Sequence, residues 1–271
     1  MKFADFQRYR MPVGEIIVAD YPSLKQLALA GEKVGVCLRH RWSHRYLPKG
    51  PVRQAAFYES DFGYPPESDR NTRSLPRDFN RLFVVNDHSG DPRVTAIPIG
   101  TQGRRHPWRF ALAPLGTQRT KLAYCNFSLG TPKDPPYTAK RRRTYETVRH
   151  HDWITFENMG NQWGTYDLGL TTYYRHVAEH RFVLSPQGAG PDCYRTWEAM
   201  YLKAIPIVQR SPEMEHFTDL PILFTDDYSE LTPAYLNEQY ERIRETEYDF
   251  DLLRLSTWRR KYEDAVRAFG G

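Results

Sequence analysis

Cysteine is scarce: Cys37, Cys125 and Cys193 are the only three in 271 residues. An odd number at such wide spacing excludes a full disulfide framework and gives no paired thiols for a structural zinc, so the three read as small buried hydrophobes. Long apolar runs are missing too. No stretch approaches the roughly 18 apolar residues of a membrane span, and the opening MKFADFQRYR has no signal-peptide core. The expectation is a cytoplasmic chain, with peripheral contact to an anionic surface compatible with its formal net charge of +5. No internal repeat and no low-complexity tract is present, which argues against a solenoid or a disordered linker.

What is there suits a globular chain of two domains. Hydrophobic residues make up 40% and aromatics 14%, enough for a core, while 20 prolines and 17 glycines imply many short connections. Short apolar runs at 15–19, 34–38, 54–58, 82–85 and 94–99 read as strands, with a helix predicted over 23–31. Periodicity is lost between Thr101 and Arg119, which marks a connection and predicts domains at 1–118 and 119–271. The second series predicts a strand at 122–127, a basic helix after Thr138, a strand at 153–156 and a helix at 171–179. A strand at 181–184, a loop, a helix at 192–203 and strands at 205–208 and 221–224 follow. A final helix over about 256–269 is a candidate to pack back on the first domain. Alternating strands and helices in both halves predict α/β architecture with two Rossmann-like domains.

The segment 182–208, FVLSPQGAGPDCYRTWEAMYLKAIPIV, carries the most chemistry. It reads strand, glycine loop, helix, strand. Pro186, Gly188 and Gly190 let the backbone approach a ligand closely, and the helix that follows offers free amides and a positive dipole end to an anion. Helical spacing predicts Cys193, Trp197, Met200 and Tyr201 toward the core and Asp192, Arg195 and Glu198 together on a ligand-facing side. Arg195 suits a diphosphate and Glu198 the hydroxyls of a ribose. The competing reading makes Asp192 a helix N-cap and Arg195 and Glu198 an ordinary i, i+3 ion pair.

This segment resembles the exostosin-like glycosyltransferases, with their proline and glycine loop, arginine, Trp/Phe-x-Glu-Ala helix and Pro-Ile/Val strand. FVVNDHSGDPRVTAIPIG at 83–100 and YCNFSLGT at 124–131, followed by basic residues, are similar to that family as well. The likeness covers roughly the last two thirds of the chain; 1–75 match no family pattern. It implies a GT-B architecture, two Rossmann-like domains facing across a cleft, with the donor held by the C-terminal one. It also implies a nucleoside diphosphate sugar, UDP or GDP, as donor substrate, a glycan acceptor, no further cofactor and no obligatory metal. The chain is short for the family and lacks the membrane anchor common among its eukaryotic members.

On that frame Asn126, Ser128 and Thr131 follow the first strand of the second domain and face the donor, with Arg143 reaching the same phosphates. The plainer alternative is a polar loop with a helix cap at Thr138, and the run 140–143 is then a solvated helix start. An inverting transfer requires a general base, for which Asp61 in an aromatic-rich loop is preferred over Asp87 and His88 at a strand end. A strand-end acid before a polar turn also reads as a turn residue. A retaining transfer needs no such base. Trp42, Tyr46, Phe62 and Tyr64 are acceptor-stacking candidates, with core packing as the alternative.

Two other functions compete. Gly188-Ala189-Gly190 begins the G-x-G of a nucleotide-cofactor oxidoreductase, but Cys193 stands where the third glycine belongs. Gln209 and Arg210 stand where the ribose-binding acid belongs. A nucleic-acid-binding module would use the basic run and the aromatics, yet no motif for one is present, and no nucleic-acid partner is expected.

Overall fold

The computed structural model describes residues 1–17, 37–39, 55–59, 81–101, 110, 118–129, 135–157, 170–188 and 190–269. The protein is α/β with two parallel sheets. The first orders β1 (Cys37–Arg39), β2 (Ala55–Glu59), β3 (Arg81–Val84) and β4 (Val94–Ala96) in chain order. The second contains β5 (Lys121–Cys125), β6 (Ile154–Phe156), β7 (His180–Leu184), β8 (Ile205–Gln209) and β9 (Leu223–Thr225), ordered β6-β5-β7-β8-β9. All of its pairings are parallel. Phe182, Val183, Leu184, Ile205 and Ile207 are fully buried. Such unbroken apolar runs are what parallel strands covered on both faces require.

The chain moves from β5 outward to β6, then returns to β7 on the other side of β5 before proceeding to β9. This 2-1-3-4-5 order creates a switch point between β5 and β7, where connections diverge and leave a crevice at the strands' carboxyl ends. The helices are α1 (Phe3–Phe6), α2 (Pro135–Val148), α3 (Leu170–Glu179), α4 (Tyr194–Tyr201), α5 (Pro212–Glu215), α6 (Pro233–Glu245) and α7 (Leu255–Phe269). None of these described helices is long and apolar enough to cross a membrane.

Some boundaries differ from the sequence reading, each for a local reason. The helix predicted at 192–203 begins at Tyr194, because Cys193 is extended at φ −138° and ψ 153°. It stops short of Lys203, which turns left-handed at φ 67° and releases the chain into β8. The last strand starts at Leu223 rather than at Pro221, which has no N–H to give a ladder. Helix α6 was missed, although Thr232 caps it by accepting the Tyr235 amide and Pro233 occupies its first turn. The helix expected over 23–31 lies outside the described residues; of the strand expected at 15–19 the described part is no strand, since Glu15 closes a 3-10 turn and Ile16 makes only an isolated bridge to Arg254.

Polar ties join the sheets. Asn86, left-handed at φ 60° just after β3, accepts the Asp192 amide at 2.8 Å. The Asp192 carboxylate accepts the Ile99 amide at 2.7 Å and the Trp197 indole N–H at 2.6 Å. Gly100 is required where it stands: its φ is +72°, and a Cβ there would lie 2.7 Å from the Ile17 carbonyl oxygen. The Tyr201 hydroxyl donates to the Leu253 carbonyl at 2.7 Å and accepts the Ile17 amide at 3.0 Å. Helix α7 sets Tyr262 edge-on to Phe83 of β3, with ring centres 5.8 Å apart. The first residues of the chain pack on the second half, Phe6 stacking on Phe250 at 3.9 Å. Arg119, just before β5, is 5% exposed and donates to the carbonyls of Val177, His180 and Leu202.

Candidate functional site

The crevice at the carboxyl ends of β5 and β7 is built from two loops, 126–129 after β5 and 185–190 after β7. The second loop is laced to the first turn of α4. Buried Ser185 shares hydrogen bonds with Thr196 Oγ1 at 2.9 Å and Cys193 Sγ at 3.2 Å, and the Gly188 amide donates to the Gly190 carbonyl at 2.9 Å. These bonds fix a short loop in which Pro186, Gly188 and Gly190 are buried and Gln187 is half-buried.

Two arginines meet there. Arg141, from α2, spans both loops: Nη1 donates to the Ser128 carbonyl at 3.1 Å and Nε to the Gln187 carbonyl at 3.1 Å. Gly188 permits this approach, because a Cβ on it would lie 2.9 Å from Arg141 Nη2. Burial, and then the like charge of Arg195, bring the Arg141 guanidinium down to about 10. Arg195, in the first turn of α4, sits over the Phe127 ring at 5.9 Å. Its Nε is buried and has no hydrogen-bond partner among the described residues. Neither arginine has a carboxylate against it within ion-pair distance among the described residues. Two neighbouring cations with only carbonyl oxygens between them among the described residues are a place for an anion to neutralise.

Beside them stands Asn126, fully buried. Its Nδ2 donates to the Tyr124 hydroxyl at 2.9 Å, and that hydroxyl donates to Glu157 Oε2 at 3.0 Å. His176 Nδ1 closes the chain on the same Glu157 oxygen. This relay sets the Asn126 amide in one orientation and leaves Oδ1 without a donor among the described residues. Burial, the largest cause, pushes the Tyr124 phenol above its ordinary value, so it stays a neutral donor.

The predicted residues divide accordingly. Asn126, Ser128, Pro186, Gly188, Gly190 and Arg195 are gathered at the crevice. Arg143 is not: it is exposed, and the arginine of the basic run that reaches the loops is Arg141. The signal was present, since Arg141, Thr144, Tyr145 and Val148 follow i, i+3, i+4, i+7, and Thr144 and Val148 are buried. Asp192 does not line the crevice. It is 2% exposed, precedes the N-cap Cys193, and has both carboxylate oxygens engaged with Ile99 and Trp197. Helical spacing cannot be extended back to it because the helix has not begun there. Glu198 is buried and accepts the Tyr173 hydroxyl at 2.9 Å, bracing α3 against α4 rather than pairing with Arg195.

Asp87 is a turn residue. Its Oδ1 accepts the Ser89 amide at 2.9 Å and hydroxyl at 2.7 Å, and its Oδ2 lies 3.5 Å from His216 Nε2. His88 keeps a side chain 24% exposed, with Nδ1 3.4 Å from Glu213 Oε1. Asp61, Trp42, Tyr46, Phe62, Tyr64 and Thr131 lie outside the described residues. Glu157, Tyr124 and His176 escaped the sequence reading, because nothing in their spacing joins three separate elements. Among the described residues no group of three or more His, Cys, Asp or Glu is arranged to hold a metal ion. No protein-family model matches the chain, and no curated protein matches it.

Proposed function

We propose that the chain is a glycosyltransferase that moves a sugar from a UDP or GDP sugar to a hydroxyl of a glycan acceptor without a divalent cation. The observation that carries this reading is the convergence of Arg141 and Arg195, with no carboxylate between them among the described residues, on the crevice between β5 and β7. A nucleoside diphosphate matches it in charge and in place: open α/β sheets bind nucleotides outside the carboxyl ends at a switch point. The likeness of 182–208 to the exostosin-like transferases adds the sugar and the GT-B arrangement, with the two parallel sheets as its facing halves.

Departure of a diphosphate leaves negative charge on its bridging oxygen. Two fixed guanidinium groups offset that charge without reorganising at the moment of reaction, the part a metal takes elsewhere. Buried Asn126 Oδ1 accepts a donor of the nucleotide or its sugar. In an inverting transfer the acceptor's proton goes to a base from the first half of the chain, for which Asp61 and His88 are the candidates; a retaining transfer needs none. Incubation with a panel of nucleotide sugars in EDTA, followed by detection of free nucleoside diphosphate, tests the reading. UDP or GDP release in EDTA is the expected outcome. A requirement for manganese would overturn the metal-free mechanism, and failure of every nucleoside diphosphate to raise the melting temperature would overturn the donor site.

A further inference from the structure

A second group of cations lies at the opposite edge of the same sheet. Arg119 precedes β5 and Arg181 is the second residue of β7, whereas the crevice lies past the other ends of these strands, roughly 13 Å away at about 3.3 Å per residue. Here α1 and α6 flank a hollow of about 230 Å³ lined by Gln7, Arg8, Arg119, Arg181, Tyr240 and Arg244, with Glu241 the one acidic side chain on its wall. Four arginines against one glutamate leave an excess of three positive charges.

Arg119, Arg181 and Arg244 are held in place rather than trailing in solvent. Arg181 lies over the Tyr240 ring at 4.7 Å, donates Nη1 to Asn237 Oδ1 at 2.6 Å and Nε to the Arg119 carbonyl at 3.3 Å. Arg244 lies over the same ring at 5.7 Å, gives Nη1 to Glu241 at 3.0 Å, and keeps a buried Nε with no partner among the described residues. Arg8, on the rim, is exposed and has no carboxylate within ion-pair distance among the described residues. Behind the wall, Lys203 has its ammonium against the Phe6 ring at 3.6 Å and no hydrogen-bond partner among the described residues. Burial first, and then the charges of Arg119 and Arg10, bring Lys203 down to about 7.

We propose that the hollow between α1 and α6 is an anion site, in which Arg8, Arg181 and Arg244 bind a tetrahedral dianion, a phosphate carried free or as the ester of a small molecule. Two flat guanidinium groups anchored on one aromatic ring present fixed N–H edges to an oxyanion, the geometry that favours arginine over lysine for phosphate. The volume suits a single phosphate with a few waters and is small for a nucleotide.

The site is independent of the donor crevice, and the test separates them. The full-length protein is titrated with inorganic phosphate, and separately with glucose 6-phosphate, following phosphorus NMR line widths for wild type, Arg8→Gln, Arg244→Gln and Arg195→Ala. Saturable binding to wild type that weakens about fivefold or more in Arg8→Gln and in Arg244→Gln, and persists in Arg195→Ala, is expected. Arg8 is exposed and makes no ion pair among the described residues, so Arg8→Gln keeps the test valid if Arg244→Gln does not fold. Binding of the ester as tightly as of inorganic phosphate assigns the source to a phosphate ester, and binding of inorganic phosphate alone assigns it to the free anion. Binding unchanged in both arginine-to-glutamine variants, binding lost only in Arg195→Ala, or no saturable binding would each overturn the proposal.

Discussion

Asp192 and Arg195 are three residues apart on one short segment, and their surroundings differ in kind. The Asp192 carboxylate has a donor on each oxygen, its amide has an acceptor, and the donors come from both halves of the protein. Arg195 has an aromatic ring beneath it and no hydrogen-bonding partner for its buried Nε among the described residues. A buried polar group that is fully satisfied holds the fold together; one left open at the mouth of a crevice is a place for something to bind. The loop at 185–190 repeats the contrast: Ser185 and Cys193 bond to each other and to Thr196, while Arg141 meets the loop with only carbonyl acceptors among the described residues.

The largest expected effect comes from removing the satisfied member. Asp192→Ala leaves the Ile99 amide and the Trp197 indole N–H as buried donors without acceptors, at a cost of about 3 to 5 kcal/mol in urea unfolding. The same residue fixes a pH dependence. Burial raises its carboxyl from 3.8 to about 7, the amide and indole donors opposing the rise. The folded state therefore binds the proton more tightly, and its stability should fall as pH climbs from about 4 to about 7. Asp192→Ala removes that slope. A variant as stable as wild type would end the assignment of Asp192 as a tie between the sheets.

Removing the open member should leave stability alone and change binding. Arg195→Ala is expected to weaken UDP or GDP by about 1.5 to 3 kcal/mol, the value of a charge-assisted hydrogen bond, with an unchanged unfolding midpoint. Calorimetric titration checks the first and denaturation the second. Loss of stability with unaltered nucleotide affinity would reverse the roles given to the two residues.

That difference between neighbours was only half legible in the amino-acid sequence. The strands of the second sheet are short apolar runs between glycine, proline and charge, and they stand within a residue or two of where patterning puts them. Trp197, Met200 and Tyr201 are buried as their helical spacing requires. Strand order was not legible, because crossovers are decided by packing of whole elements. Nor was the fate of Asp192, whose partners Asn86 and Ile99 come from the other half of the chain. Arg141 and Arg143 look alike in a run of basic residues; only the phase set by Thr144 and Val148 one and two turns later separates them.

Lys203 extends the comparison to a buried cation that faces no crevice. It is 2% exposed, and its folded value of about 7 lies below the ordinary 10.5. The unfolded chain therefore holds the proton more tightly, and stability should rise as pH climbs from about 7 to about 10.5. Lys203→Met keeps the packing on Phe6, removes the unpartnered ammonium, and should stabilise the protein at neutral pH by about 1 to 2 kcal/mol. It should also flatten the alkaline rise, which melting temperatures across that range measure. Destabilisation instead would mean that the ammonium on the Phe6 ring holds the amino-terminal segment in place.

The smallest expected effect is at Gly188, and it probes how the crevice is shaped rather than how it is charged. Its φ is not in the left-handed region, so alanine meets no backbone penalty; among the described residues the new Cβ meets the Arg141 guanidinium, with Nη2 2.9 Å away. That atom is the far end of a flexible side chain and can withdraw, but withdrawal breaks the bonds from Arg141 to the Ser128 and Gln187 carbonyls. Both carbonyls lie at the crevice, where water can replace the lost donors, so unfolding should change little. The guanidinium, no longer held between the two loops, must be ordered again by each incoming anion. Gly188→Ala should therefore weaken nucleoside diphosphate binding by about 1 kcal/mol, less than loss of Arg195. Combined with Arg141→Ala it should have almost no further effect, because its action passes through that side chain. Additive losses in the double variant would show that the backbone at Gly188 itself meets the ligand.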